Sequence, residues 1–225
     1  MKVSIVILTY NRWDLLYQCL MSVVNNYHHN IHEVIVIDNG TDETIRIGMK
    51  FFENLSSVNI KRIHPEVNLG YPNGMNFGID KLLRVGNDGI TILMTDDTYI
   101  IKDGLFEEIE QVYSAFGDTL LGQSLYTHDT GWNTFGDIIV PYVEGYFIVA
   151  PTNFLKNHKF DEIYGMSDFE DVDLSAQAIK EGMVLKQLSQ RYVEHLGGRS
   201  FGYGEDRQSR TRMNRIKFAK KWNLL

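Results

Sequence analysis

The stretch that most constrains this sequence is residues 92–98, where an apolar run ends in two adjacent carboxylates, Asp96 and Asp97. An apolar run of this length indicates a buried strand, and open α/β sheets bind their ligands at the carboxyl ends of strands. Two acids at that position are unfavourable unless a cation or hydrogen-bond donors offset the free-energy cost of their desolvation and mutual repulsion. A divalent metal that holds a diphosphate would do so. The alternative is a solvated turn, the commoner meaning of an isolated Asp-Asp pair.

Strands and helices alternate through the first half of the sequence, as the hydrophobic periodicity indicates. Strands are predicted over residues 3–8, 32–37, 58–64 and 89–94. Helices are predicted over residues 13–27, about 41–55, and from the glycine- and asparagine-rich turn at 68–78 to about 86. This alternation predicts a parallel sheet with crossover helices.

The pattern changes after a helix that is predicted at 103–116. Further strands are predicted at 120–126, 134–141, 143–150, 183–188 and 191–195. A loop with a short helix is predicted at 151–168, a helix closed by a glycine at 168–182, a glycine-rich loop at 197–204 and a basic helix from 207 onward. We predict one α/β domain with a mixed, mostly parallel central sheet. Its parts are a nucleotide-binding half (1–98), an acceptor and catalytic half (99–205) and the C-terminal basic helix (206–225).

Composition narrows the class of partner. A net charge of -7 over 225 residues argues against nucleic acid held by bulk electrostatics. The single cysteine, Cys19, excludes an intrachain disulfide and makes a cysteine-based zinc site untenable. No apolar run approaches the roughly 20 residues of a membrane span, and the first strand is too short for a signal peptide. We therefore expect a cytoplasmic protein.

Three of the predicted parallel strands end in hydrogen-bonding residues, at 9–11, 38–39 and 95–97. The carboxyl ends of parallel strands share one rim of the sheet, so these side chains should meet. A nucleotide site needs such acceptors and donors for its base and ribose, and a metal for its phosphates. Each segment alone is better explained as a turn, but together they favour a nucleotide site.

The chain resembles the family 2 glycosyltransferases, whose GT-A fold is Rossmann-like and binds nucleotide-diphospho-sugars. The matching segments follow the family's order at 6–12, 34–42, 68–78, 95–97, 160–182 and 195–200. The family's Asp-x-Asp motif corresponds to Thr95-Asp96-Asp97, so its first acid is a threonine here. That departure puts the ribose contact of this position in doubt, although Asp96 is able to substitute. The segment at 160–200 is most similar to rhamnosyltransferase-like members.

The resemblance implies a role for each matching residue. Asp38 would accept a hydrogen bond from the nucleobase, and Asp97 and His195 would bind Mn²⁺ or Mg²⁺. Asp171 would be the general base. The donor would be bound by Thr9, Asn11, Asp38, Asn68, Gly70, Asn76, Thr95 and Asp96. Oxygen ligands suit these two metals, which bind few carboxylates together with phosphates.

Two of these roles compete with simpler explanations. Glu170, Asp171 and Asp173 would also fit an ordinary acidic first helical turn, which the helix dipole favours. Asp171 and Asp173 cannot share a helix face, so only one is expected to reach a common site. His195 would also fit a satisfied histidine at a strand end.

The activity that the resemblance implies is metal-dependent, inverting transfer of one sugar from a UDP- or dTDP-linked donor. The acceptor would be a hydroxyl of a glycan or a lipid-linked molecule, in surface polysaccharide or glycan synthesis. The Gln-x-x-Arg-Trp motif of processive synthases is absent, which favours addition of a single sugar. The rival function is a non-catalytic module that binds nucleotide sugars or glycans. A nucleotidyltransferase is disfavoured because the loop at 9–12 has no glycine.

The basic C-terminal segment has two explanations. Its basic residues alternate with apolar ones, as in amphipathic helices that lie on anionic membranes. Peripheral membrane contact would suit a lipid-linked acceptor. A helix that covers the sheet edge and exposes its basic face to solvent explains the pattern equally well.

Overall fold

The computed structural model describes residues 1–26, 28–54, 58–82, 89–197 and 204–224. The strands are β1 (Val3–Thr9), β2 (Ile31–Asp38), β3 (Ile60–Ile63), β4 (Ile90–Thr95), β5 (Thr98–Ile100), β6 (Thr119–Gly122), β7 (Leu125–Tyr126), β8 (Thr134–Phe135), β9 (Ile138–Ile139), β10 (Tyr142–Val143), β11 (Phe147–Pro151), β12 (Val184–Gln187) and β13 (Val193–His195). The α-helices are α1 (Trp13–Asn25), α2 (Glu43–Glu53), α3 (Gly70–Lys81), α4 (Leu105–Phe116), α5 (Thr152–Asn157), α6 (Glu170–Lys180) and α7 (Glu205–Lys221). A 3₁₀ turn spans Glu162–Tyr164.

A seven-stranded sheet in the order β12-β6-β11-β4-β1-β2-β3 forms the centre of the fold. All neighbouring pairs are parallel except those of β11, which runs antiparallel to both β4 and β6. The predicted α/β class and the mixed, mostly parallel sheet are therefore confirmed. Both predicted halves of the chain contribute strands to this one sheet.

The two faces of the sheet are both buried, as is typical of parallel sheets with crossover helices. Alternate residues of β1 point to opposite faces. Ile5 and Ile7 belong to the core cluster that includes α1 and α2, whereas Val6 and Leu8 belong to the cluster that includes α3, α5 and α6. This double burial explains why the first strands have continuous apolar sequences.

Two glycines of α3 face the sheet, and the helix packs so closely there that neither position has room for a Cβ atom. A Cβ atom at Gly78 would collide with Cγ1 of Val6 and lie 3.1 Å from Cγ1 of Ile37. A Cβ atom at Gly74 would lie 2.7 Å from Cδ1 of Leu8. The glycine- and asparagine-rich segment, expected as a turn that leads into a helix, is thus helical from Gly70 onward.

Several predicted boundaries are corrected by the structure. The strand predicted at 134–141 is a short hairpin of β8 and β9, and those at 120–126 and 143–150 are each divided in two. Apolar residues there alternate only briefly before glycine and polar residues turn the chain. Strand β5 was missed because it has three residues directly after the acidic pair, where a helix was expected next. The predicted end of the third helix near 86 lies outside the described residues, as does most of the loop at 197–204.

Helix α7 covers the 3₁₀ turn and the start of α6 rather than the sheet edge. Most of its basic side chains contact protein groups: Arg207 and Arg210 bind Asp168, Arg215 binds main-chain carbonyls, and Lys217 and Lys221 bind the 3₁₀ segment or α6. In the part of the chain that the structure describes, no helix combines the length and the hydrophobicity that crossing a membrane requires.

The close approach of α3 gives a test of the fold. We expect Gly78→Ala to destabilise the protein by about 1–3 kcal/mol, since overpacking outweighs the better helix propensity of alanine. Ser114→Ala, on an exposed position of α4, is the control and should change stability little. Urea unfolding monitored by circular dichroism measures both variants. Equal stability of Gly78→Ala and the parent chain would show that α3 can move off the sheet without loss.

Candidate active site

The polar side chains at the strand ends lie close together, as predicted, and form a buried hydrogen-bond network. Oγ1 of Thr9, at the end of β1, donates to Oδ2 of Asp96 at 2.6 Å. Burial raises the pKa of Asp96 to about 7, although the Thr9 bond opposes the shift and the neighbouring charge of Asp97 adds to it. Asp96 is therefore held by β1 rather than solvated in a turn.

The loops after β1 and β2 are joined by Asn11, which has a left-handed backbone (φ 54°). Its Oδ1 accepts hydrogen bonds from the main-chain N–H groups of Thr41 and Asp42 at 2.7 and 3.0 Å. The carboxylate of Asp38 is fully buried and accepts from Arg62 Nε at 2.8 Å. Arg62, on β3, is a charge partner that no sequence motif indicated.

The residues in and before α3 that were predicted to bind the sugar donor form hydrogen bonds with nearby protein groups. Oδ1 of Asn68 accepts from the N–H of Gly70, whose carbonyl accepts from Asn39 Nδ2, each at 2.9 Å. Both ends of the Asn76 amide bond the main chain of Phe160, at 2.8 and 3.0 Å. Asn76 is thus a clamp between α3 and the chain before the 3₁₀ turn, which spacing alone could not reveal.

A cavity of about 650 Å³ opens beside this network. Four predicted site residues line it: Thr95, Asp97, Asp171 and His195. The predicted residues that lie outside its described lining are Thr9, Asn11, Asp38, Asn68, Gly70, Asn76 and Asp96. The structure thus brings the predicted metal and base residues to one cavity and places the strand-end network behind it.

Asp97 and His195 approach each other because β5 pairs with β13, which aligns His195 with Thr98. Nε2 of His195 lies 3.4 Å from Oδ1 of Asp97, and its ring stacks on Tyr146 at 4.2 Å between centroids. Burial would raise the pKa of Asp97, but the hydrogen bonds from His195 and Thr95 outweigh it and lower that pKa. Asp97 therefore remains ionised next to Asp96, whose pKa is raised.

This pair fits a divalent metal that takes few protein ligands. Among the described residues, no group of three or more His, Cys, Asp or Glu side chains could hold a metal ion. A carboxylate and an imidazole from two strands nevertheless converge at the cavity wall. Mg²⁺ and Mn²⁺ complete such sites with phosphate oxygens and water. The donor set suits a metal that arrives with a diphosphate.

Asp171 lies at the first turn of α6, on another part of the cavity wall. Its Oδ2 accepts from the N–H of Gly145 at 3.0 Å, which fixes the carboxylate. Protein atoms surround the group closely although part of its surface still faces the cavity. Burial, followed by the charge of Glu144, raises the pKa of Asp171 to about 7.

The two neighbouring acids differ from Asp171, as helix geometry predicts. Asp173 is fully buried and binds Tyr164, Gln177, Lys221 and Trp222. Glu170 lines the cavity, and its Oε2 has no hydrogen-bond partner among the described residues. Burial, and next the charge of Asp171, raises the pKa of Glu170 well above its ordinary value. Of these three acids of α6, Asp171 combines cavity access with a carboxylate fixed by main-chain donors.

The turn that precedes α6 is strained and is held by α7. Asp168 and Phe169 both have a left-handed backbone, with φ of 77° and 79°. Nδ2 of Asn214 lies 2.9 Å from three carbonyl oxygens, those of Tyr164, Ser167 and Asp168. The carboxylate of Asp168 also binds Arg207 and Arg210. The position of Asp171 thus depends on α7.

The comparison with protein families decides the membership of the chain. The model "Glycosyl transferase family 2" matches residues 4–169, which is most of the chain. The chain belongs to glycosyl transferase family 2. No curated protein matches it significantly.

Solved structures confirm the GT-A fold of this family 2 chain. TarS from S. aureus aligns with a TM-score of 0.65 and 19% identity, covering 97% of this chain and 40% of TarS. The mannosyltransferase PcManGT from Pyrobaculum calidifontis, solved with GDP-Man and Mn²⁺, has a TM-score of 0.67 and 15% identity, covering 89% of this chain and 58% of that one. GalNAc-T7, solved with UDP, GalNAc and Mn²⁺, has a TM-score of 0.71 and 12% identity, covering 97% and 48%. The family 2 chain spans about half the length of these neighbours.

Other cavity residues of this family 2 chain were missed from the sequence. Tyr71 donates to the carbonyl of Gly145 at 2.5 Å and lines the cavity beside Glu144 and Tyr146. Trp132, from the turn before β8, is a further lining residue. Tyr71 lies in the matching segment at 68–78, whose pattern does not show that its side chain reaches the cavity, and Trp132 comes from a turn without a recurring motif.

The anchoring of the α6 turn is testable through Asn214. Asn214→Ala leaves three carbonyl groups without their donor, and we expect a loss of about 2–3 kcal/mol in stability. The melting temperature should fall by roughly 5–10 °C. Asn153→Ala, an exposed asparagine on α5, is the matched control. Calorimetry that finds the two variants equally stable would contradict the anchoring role of α7.

Proposed function

We propose that this chain transfers a single sugar from a nucleoside diphosphate sugar to an acceptor hydroxyl, with inversion at the anomeric carbon. The observation that carries the proposal is the shared cavity, which combines Asp97 and His195 with the fixed carboxylate of Asp171. The leaving diphosphate needs a metal-binding pair beside it, and the attacking hydroxyl needs a base. Both must lie near the same sugar. Family membership supports the same reaction class.

Asp171 is the general base in this proposal. The acceptor hydroxyl loses its proton to the carboxylate while its oxygen bonds to the anomeric carbon. The bond between that carbon and the diphosphate oxygen breaks, and the electron pair leaves with the diphosphate. A pKa of about 7 makes Asp171 a stronger base than an ordinary carboxylate, and about half of the molecules carry its ionised form at pH 7. The Gly145 N–H keeps the carboxylate oriented throughout.

Asp97 and His195 would hold Mn²⁺ or Mg²⁺, which when bound supplies positive charge to the departing diphosphate. The low pKa of Asp97 keeps that ligand ionised. The solved neighbours PcManGT and GalNAc-T7 contain Mn²⁺ with GDP-Man or UDP, which supports this assignment by analogy. The strand-end network of Thr9, Asp38 and Asp96 would shape the floor of the nucleoside site.

The donor that we propose is UDP- or dTDP-linked, and the acceptor is a hydroxyl of a glycan or a lipid-linked molecule, in surface polysaccharide or glycan synthesis. UDP-GlcNAc and UDP are ligands of the neighbour TarS. Contact with an anionic membrane would rely on Arg212 and Lys220, which are exposed on α7 beside the exposed Met213 and Ile216.

Nucleotide binding tests the donor site directly. UDP, dTDP, GDP and CMP are each compared with Mn²⁺, with Mg²⁺ and with EDTA in a thermal-shift assay. A diphosphate at 100 times its dissociation constant stabilises by roughly 2.7 kcal/mol, which corresponds to about 5–10 °C. We expect one diphosphate with metal to give this shift and EDTA or Asp97→Asn to remove it. Asp103→Asn, an exposed charge-matched control, should keep it. A shift that persists in EDTA would contradict the metal site.

Removal of the base tests the chemistry. We expect Asp171→Asn to bind the donor normally but to transfer sugar about 10²–10⁴-fold more slowly, because no carboxylate accepts the proton. For the parent chain, kcat/KM should fall about tenfold per pH unit below pH 7, as Asp171 becomes protonated. Radiolabelled donor and product chromatography measure the rate. Near-full activity of Asp171→Asn would overturn this role, and Asp103→Asn should stay active.

The melting temperature of Asp171→Asn at different pH values gives a second test, which does not depend on activity. Burial raises the pKa of Asp171, so the folded state disfavours its ionised form above pH 7. Asparagine does not ionise, so the melting temperature of Asp171→Asn relative to the parent chain should rise from pH 5, where the folded parent already holds the proton, to pH 8. A constant offset at both pH values is expected from the lost acceptor of one main-chain N–H group. A difference that does not change between pH 5 and pH 8 would contradict the raised pKa.

A further inference from the structure

The cavity has a part of its wall that the proposed transfer chemistry does not use. Trp132, Gln208 and Thr211 form it, from the turn before β8 and from the first half of α7. None of these three residues belongs to the metal pair or to the strained turn before α6.

Trp132 is exposed to the extent of 43%, although it lies in a tightly constructed turn. The next residue, Asn133, is fully buried and fixes the turn with its side chain. Its Oδ1 accepts from the N–H and Oγ1 of Thr130 at 2.9 and 2.8 Å, and its Nδ2 donates to the carbonyls of His128 and Val140. The buried side chain of Asn133 thus fixes the main chain of the turn, while the indole of Trp132 stays partly exposed.

Helix α7 fixes the same turn from the other side. Nε of Arg215 donates to the carbonyl of Trp132 at 3.1 Å, and the guanidinium also bonds the carbonyl of Thr134. The same guanidinium lies over the ring of Phe135, 4.6 Å from its centroid. Leaving a large apolar ring partly exposed on a fixed turn is unfavourable for folding, and this ring lines the cavity, so the arrangement favours a binding role.

The other groups of the cavity define what such a ring would bind. Glu170 is 6% exposed, lines the cavity and has an Oε2 atom without a hydrogen-bond partner among the described residues. Glu144 and Tyr142 also line it. A ligand that matches this wall presents one flat apolar face and several hydroxyl groups. A pyranose ring has this chemistry, since its C–H groups lie on its faces and its hydroxyls around its rim.

We propose that the acceptor is a saccharide and that one of its sugar rings stacks on the indole of Trp132. This rests on the proposed function, since it names the substrate of the same cavity. A rigid aromatic ring binds a sugar face with little loss of conformational freedom. The hydroxyl-rich rim is then free to bond the carboxyl groups of the wall. Acceptors without a sugar, such as an amino-acid side chain or a simple lipid alcohol, lack the face that Trp132 recognises.

The test separates saccharide binding from catalysis. Methyl glycosides of glucose, galactose, rhamnose and N-acetylglucosamine, with lactose and chitobiose, are titrated into the full chain and monitored by ligand-observed saturation-transfer NMR. We expect at least one probe to bind and Trp132→Ala to weaken it about tenfold or more. Trp132→Phe should retain most of the affinity because it keeps an aromatic face. Phe51→Ala, which removes a similarly exposed ring (58%) on α2, should change nothing.

Donor hydrolysis measured in the same samples distinguishes the two proposals. Hydrolysis that continues in Trp132→Ala while saccharide binding is lost supports the stacking role. Hydrolysis without binding of any probe, or binding that Trp132→Ala leaves unchanged, overturns the stacking role and leaves the transferase intact. Saccharide binding that depends on Trp132 without donor binding or hydrolysis would overturn the transferase and leave a glycan-binding site.

Discussion

The burial of carboxylates along one rim of the sheet is the constraint on which the rest of this structure depends. Each buried acid is compensated differently: Asp38 by Arg62, Asp96 by Thr9, and Asp97 by His195. A carboxylate removed from water must be paired, hydrogen-bonded or protonated. These three solutions give neighbouring acids different charge states within one site. Asp96 and Asp97 are adjacent in sequence, yet their pKa values move in opposite directions.

The same principle separates the acids of α6. Asp173 is buried with four partners and serves packing, whereas Asp171 has main-chain donors and faces the cavity. The pKa of Asp171 is consequently raised to about 7, as a base that works near neutral pH requires. The folded state thus carries an unfavourable charge at the position where the proposed chemistry needs it. The left-handed turn at Asp168 and Phe169 is a second local strain, and Asn214 on α7 offsets it.

Helix α7 has a larger role than its sequence suggests. The basic residues indicated either a membrane surface or a solvated face, but Arg207, Arg210 and Arg215 bind the turns that carry Asp171 and Trp132. One helix therefore fixes two parts of the cavity wall. Changes at Asn214 and Arg215, which lie outside the described cavity lining, should therefore still affect the site.

The sequence alone predicted the mixed, mostly parallel class of the sheet, because strands buried on both faces need apolar runs and parallel strands need helices between them. It also singled out Asp97, His195 and Asp171, since their segments resemble one family in order, and the structure places all three at one cavity, while their roles stay predictions. The tertiary structure decided which polar residues face the cavity. Asn76 matched the family's motif equally well but bonds the main chain of Phe160, and Trp132 matched no motif but lines the cavity. A motif records residue type and spacing, whereas the direction of a side chain depends on partners distant in sequence, and only the folded chain brings those partners together.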